Sequence, residues 1–83
     1  MKVIHRIQIV ASCPADKLGD VYDCEVHAER VIPVEDIMAA ADEAAGMVIY
    51  QEDLADWLRR KLKARIVLRG SHFGRVQTEV ICA

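Results

Sequence analysis

The stretch Gln51-Glu52-Asp53-Leu54-Ala55-Asp56-Trp57-Leu58-Arg59-Arg60-Lys61-Leu62-Lys63-Ala64-Arg65-Ile66-Val67-Leu68-Arg69-Gly70 changes its hydrophobic period part-way along. Over 51–63, Leu54, Trp57, Leu58 and Leu62 recur at helical spacing. Glu52 and Asp53 fall in the first turn, and Arg59, Arg60, Lys61 and Lys63 in the last, so both ends complement the helix dipole. From Arg65 the period drops to two, with Ile66 and Leu68 on one side, and the strand runs to Gly70. The turn Ser71-His72-Phe73-Gly74 then leads into 75–82, where Val76, Thr78 and Val80 alternate with polar residues.

Upstream, Val34, Ile37, Met38, Ala41 and Ala45 predict an earlier helix, with Pro33 near its start and Gly46 as its C-terminal cap. Before it, 21–32 alternates: Tyr22, Cys24, Val26, Ala28 and Ile32 take one side, and Asp23, Glu25, His27 and Glu29 the other. The segment 13–19, with Pro14, Asp16 and Gly19, reads as a loop. It joins that strand to a first one over 2–11, whose core parity is Val3, Ile7, Ile9 and Ala11 with His5. The expected fold is α+β, ββααββ: four antiparallel strands with two helices on one face. The other face is mostly polar, with Arg6, Gln8, Asp23, Glu25, His27, Arg65, Arg69, Gln77 and Glu79. Such a face also suits the inside of a barrel built from several subunits, whose closure removes the sheet edges.

At 83 residues the chain is expected to be a single domain spanning 1–83. A chain this short has a marginal core, yet 53% of its residues are hydrophobic. The excess is read as surface for another copy, so a homo-oligomer is expected. The net charge of −2 argues against a strongly basic nucleic-acid module. Charge interrupts the first residues, which do not read as a signal peptide, and no apolar run could span a bilayer. Three cysteines without C-x-x-C spacing argue against a disulfide framework and for a reducing, cytoplasmic location.

The element order, the Gln51-Glu52 pair opening the second helix and the late His72 resemble the tunnelling-fold superfamily. That group includes GTP cyclohydrolase I, the 6-pyruvoyltetrahydropterin synthases and 7-cyano-7-deazaguanine reductase. The resemblance implies barrels with sites for purine-like or pterin-like rings at subunit interfaces. Gln51-Glu52-Asp53-Leu54 looks like the cyclohydrolase motif in which a glutamate anchors a guanine edge. Cys13-Pro14 with Asp20 at plus seven looks like the reductase loop, where the cysteine adds to the nitrile and the aspartate handles the proton. Leu68-Arg69-Gly70-Ser71-His72 is similar to the late strand and histidine of the cyclohydrolases.

The departures are informative. Two positions of the cyclohydrolase zinc site hold Asp16 and Gly74, which disfavours zinc. The region Pro33-Val34-Glu35-Asp36-Ile37-Met38 lacks the lysine of the reductases' NADPH motif, which counts against hydride transfer from NADPH. No cofactor is therefore expected. The resemblance is closer to a reductase-like archaeal group that adds ammonia to the nitrile.

On this basis Cys13, Asp20 and His72 are the candidate catalytic residues. Cys13 is the nucleophile that forms a thioimide, Asp20 the proton donor or acceptor, and His72 a proton shuttle. Glu52 and Gln51 are the candidate substrate-binding residues, with the Glu52 carboxylate accepting the two adjacent N–H groups of a guanine-like edge. Residue type alone also allows plainer roles: a small buried hydrophobe for Cys13, a turn residue for Asp20, a first-turn acid for Glu52. The expected function is a homo-oligomeric 7-deazaguanine-modifying enzyme acting on 7-cyano-7-deazaguanine, amidine-forming or reducing, on a base either free or within tRNA. The alternatives are a tunnelling-fold enzyme for a pterin or GTP-derived ring, and a non-catalytic binding or assembly module.

Overall fold

A computed structural model describes residues 1–15 and 17–83. The chain order is β1 (Val3–Ser12), β2 (Gly19–Ala28), α1 (Val34–Ala44), α2 (Gln51–Leu62), β3 (Arg65–His72) and β4 (Val76–Cys82). The strands form one antiparallel sheet in the order β1-β2-β3-β4. Both helices lie on one face, burying Ile9, Tyr22, Cys24 and Val26 of the first hairpin and Ile66 and Leu68 of the second against Leu54, Leu58 and Ile37. The alternation of β1 is borne out residue by residue: Val3, His5, Ile7, Ile9 and Ala11 are buried or half-buried, and the residues between them are exposed.

Several local readings are corrected. β2 stops at Ala28 instead of reaching Ile32, although Ile32 is still buried. β3 runs two residues past Gly70, to His72, and the hairpin bend covers Phe73, Gly74 and Arg75, with Phe73 and Gly74 left-handed at φ 54° and 68°. Paired left-handed residues suit the right-handed twist of a hairpin. In α1 the inward face is Ile37, Ala40 and Ala44, while Val34 and Met38 are half exposed. The choice of face is set by close approach: alanines let the helix axis come near β1, and a methionine does not. Gly46 is not left-handed; the last turn closes through Gly46 N–H to Glu43 O at 3.3 Å and Met47 N–H to Ala44 O at 2.9 Å. The left-handed cap belongs instead to Lys63 at the end of α2, φ 51°. Arg30 donates there to the carbonyls of Leu62 at 2.7 Å and Lys63 at 2.8 Å, supplying donors that helix ends otherwise lack.

The segment between the helices is tied to β1. Ser12 N–H donates to Met47 O at 3.0 Å, and Ile49 N–H donates to Ser12 O at 2.9 Å, a single parallel bridge at the end of the edge strand.

On the open face Glu25 gathers hydrogen bonds from three neighbours. Its Oε2 accepts from Arg6 at 3.3 Å and Arg69 at 3.2 Å, and its Oε1 lies 2.9 Å from His27 Nε2. Hydrogen bonds from His27, then Arg69, hold its carboxyl down at about 2, from an ordinary 4.5. The folded state therefore favours the ionised form. Its contribution is complete above pH 4.5 and is lost as pH falls towards 2. Thermal melts across that window should show a shallower acid loss for Glu25→Gln than for the wild type. Equal losses would remove Glu25 as a cause of acid sensitivity.

Candidate functional site at one end of the sheet

β1 ends where β2 begins, with Ala11 opposite Asp20 and Ser12 opposite Gly19. Asp20 shares the parity of buried Tyr22 and Cys24, so it lies on the helix side of the sheet. Cys13 follows β1 directly. Its N–H donates to Leu18 O at 3.0 Å and its carbonyl accepts from Lys17 N–H at 2.6 Å, which sets Lys17 and Leu18 against Cys13. Cys13 is half-buried and carries a free thiol.

The second hairpin arrives at the same end. Asp23 pairs with Arg69, so Tyr22 lies beside Gly70. The Tyr22 ring covers Gly70, where any Cβ would collide with it. His72, two residues on, has the same parity as Leu68 and Gly70 and is half-buried. Gln51, the first residue of α2, reaches down to this corner. Its Nε2 donates to Leu68 O and to Thr78 O, each at 2.9 Å, and its Oε1 lies 2.6 Å from His72 Nε2. Gln51 is 2% exposed, the one buried polar residue among those described. Glu52, next in the same first turn, is exposed.

Tyr22 is the hub of this corner. Its hydroxyl faces Asp20 Oδ2 at 3.4 Å, long for an O–H···O bond. Burial pushes the phenol up to about 12, and the negative charges of Asp20, Cys13 and Glu52 add to the shift. Three of the residues singled out in the sequence thus act electrostatically on one phenol, although they come from the end of β1, the start of β2 and the start of α2. The remaining two, Gln51 and His72, bond to each other beside it. Sequence reasoning placed Tyr22 only in the core. Its parity with Asp20 is the signal that would have located it.

Asp16, one of the two positions that depart from the cyclohydrolase zinc pattern, lies outside the described residues. Among the described residues, no three His, Cys, Asp or Glu side chains come together in a way that could hold a metal ion. The other departing position, Gly74, sits left-handed at the hairpin tip with open space around it. Cys24 is a core residue whose thiol burial pushes up to about 12, so it stays protonated and inert. A cleft of about 530 Å³ opens on the polar face, lined by Asp23, Arg69, Ser71, Gln77 and Glu79 among others. It contains none of the five predicted site residues, which occupy an open corner on the opposite face. No described helix is long and apolar enough to cross a membrane.

No family model and no curated protein matches this chain. Among solved structures it is similar to the crystal structure of an archaeosine synthase QueF-like protein in the apo form. The match has a TM-score of 0.82 and 20% sequence identity, and covers 98% of this chain and 90% of the other. The chain therefore has the tunnelling fold, a ββααββ unit shared almost end to end with that structure.

Proposed function

We propose that this chain is a 7-deazaguanine-modifying enzyme that attacks the nitrile of 7-cyano-7-deazaguanine through Cys13. The observation that carries the reading is the convergence on Tyr22. Asp20 lies 3.4 Å from the Tyr22 hydroxyl on the helix side of the sheet, and charge at Cys13 and at Glu52 acts on the same phenol through space. They do so on a fold shared with an archaeosine synthase.

In the proposed step the Cys13 sulfur bonds to the nitrile carbon. The S–H proton passes to Asp20 as the C–S bond forms, one π pair moves to nitrogen, and nitrogen takes that proton from Asp20, so a neutral thioimide results and Asp20 is again a carboxylate. Tyr22, whose phenol stays protonated, donates to Asp20 and orients it. Glu52, exposed and in the first turn of α2, accepts the paired N–H groups of the ring. Ammonia or an amine then displaces the sulfur, with no nicotinamide and no metal. The ring is presented either free or within tRNA.

The corner is open in a single chain, and a second copy is proposed to close it. Both outer strands expose their edges, and Ile4, Val10, Val21 and Ile81 are exposed on the polar face. Sheet closure between copies would remove both liabilities.

Incubation with 7-cyano-7-deazaguanine followed by intact mass spectrometry tests the reading. A mass gain equal to the whole ring is expected, since addition to a nitrile expels nothing. A wild-type protein that binds no purine-like ring at millimolar ligand would leave the binding-module alternative in its place. Glu52→Gln keeps the shape and removes the charge. It is expected to weaken ring binding by about 1.5–3 kcal/mol, the scale of a hydrogen bond to a charged group. Titration calorimetry giving equal affinities would assign Glu52 to the helix dipole alone.

A further inference from the structure

The Gln51–His72 contact determines where a proton sits. Carbonyl oxygens only accept, so the two bonds to Leu68 O and Thr78 O require the amide nitrogen of Gln51 to face them. A reversed amide would set Oε1 against two oxygens, which excludes the usual ambiguity of a glutamine. Oε1 is thereby left facing His72, and Oε1 can only accept. The ring nitrogen 2.6 Å away must therefore carry a hydrogen. In a neutral imidazole with hydrogen on Nε2, the lone pair is on Nδ1.

We propose that Gln51 is a positioning residue that sets the tautomer of His72 and leaves Nδ1 as the proton-accepting atom of the site. The catalytic use of that atom rests on the function proposed above; the tautomer does not. Protonation would add a hydrogen at Nδ1 and leave the Gln51 bond in place, so a proton enters and leaves without moving the ring. The other ionisable groups at this end are Cys13, Lys17, Asp20 and Tyr22 on the β1–β2 side, Tyr50, Glu52 and Asp53 at the start of α2, and Arg75 in the hairpin turn beside His72.

The atom fits the second half of the reaction. When ammonia attacks the thioimide carbon, its nitrogen forms the new C–N bond and gives one proton to Nδ1. The C–S pair leaves with the Cys13 sulfur, which recovers that proton from Nδ1. The products are an amidine and a free thiol, and nothing is oxidised or reduced.

The test is a long-range proton–nitrogen correlation spectrum of the full chain labelled with ¹⁵N-histidine. It is recorded at about pH 8.5, where an ordinary imidazole is neutral. The His72 signals are identified by their loss in His72→Asn, since His5 and His27 are the only other histidines. A protonated Nε2 with an unprotonated Nδ1 is expected, and the opposite tautomer overturns the proposal. In Gln51→Leu the spectrum should change to a mixture of tautomers. Amidine formation should lose about tenfold or more in kcat with KM for the ring unchanged, within the range of general acid–base effects. Unchanged tautomer and kcat in that variant would also overturn it. If Gln51→Leu does not fold, the wild-type spectrum decides alone. The expected tautomer in a protein that forms no adduct would sink the proposed function and leave the role of Gln51 standing.

Discussion

Cys13→Ala is expected to form no covalent adduct with 7-cyano-7-deazaguanine while still binding the ring. The expectation is asymmetric because the two tasks sit on different elements. Bond formation needs a sulfur nucleophile, and the loop after β1 supplies the one half-buried thiol at this corner. The other two cysteines cannot substitute. Cys24 is buried beneath the helices with its thiol pushed up to about 12, and Cys82 pairs with Ile66 at the opposite end of β3 from His72. Ring recognition is assigned to Glu52, on α2, and truncation of a loop side chain should leave that helix where it is. Intact mass spectrometry should show the unmodified mass alone, beside a calorimetric affinity within a few-fold of wild type. An adduct of the same mass in Cys13→Ala would place the nucleophile elsewhere and end the thioimide mechanism for this residue.

Gly70→Ala should produce the other large effect, on stability and site together. A Cβ on Gly70 would fall 2.6 Å from Tyr22 Cε1, closer still to Cδ1, and 3.5 Å from Gln51 Oε1. Neither neighbour can move aside cheaply. Tyr22 is 1% exposed, with no free space for its ring, and Gln51 is held by its bonds to β3, β4 and His72. Overpacking of this kind costs about 1–3 kcal/mol and sometimes more. For a chain of this size about 2 kcal/mol is a fall of roughly 8–16 °C in melting temperature. The ring can yield only by carrying its hydroxyl away from Asp20, so adduct formation should slow as well. In a Tyr22→Leu background the flat ring is gone and most of the penalty should vanish. A double-mutant cycle with no coupling between the two positions would show that the ring does not require the glycine.

How much of this could be read in advance depended on how strongly side chains differ along each segment. β1 and α2 were legible because large aliphatic residues stand against charged ones at a clean period. α1 was read with its face only partly placed: Ile37 and Ala41 do pack inward, but Ala40 and Ala44 take the places expected for Val34 and Met38, and alanines carry little hydrophobic contrast. The end of β2 was overrun because Ile32 keeps the parity of the strand after the ladder has stopped, and it is buried anyway. The cap that Arg30 gives α2 spans more than thirty positions and leaves no local signal. In the site, the candidate residues come from the resemblance. Their geometry does not, since the corner is assembled by sheet register, and register is a long-range property. Gln51 illustrates the difference. In the sequence it is a polar residue beside an acid at a helix start, a natural ligand contact. In the fold it is buried, and every polar atom of its side chain already has a partner in the chain.

The short bridge at Ser12 has a consequence for anything that adds to this edge. Along most of β1 the outward N–H and C=O groups are available to a visiting strand. At Ser12 both are already taken, by Met47 and Ile49. The inter-helix segment thus acts as a terminal stop. A visiting strand can zip along the edge from the Val3 end but must halt before Ser12. The cysteine loop is kept out of the sheet, and the register of any such pairing is bounded by a contact made within the chain itself.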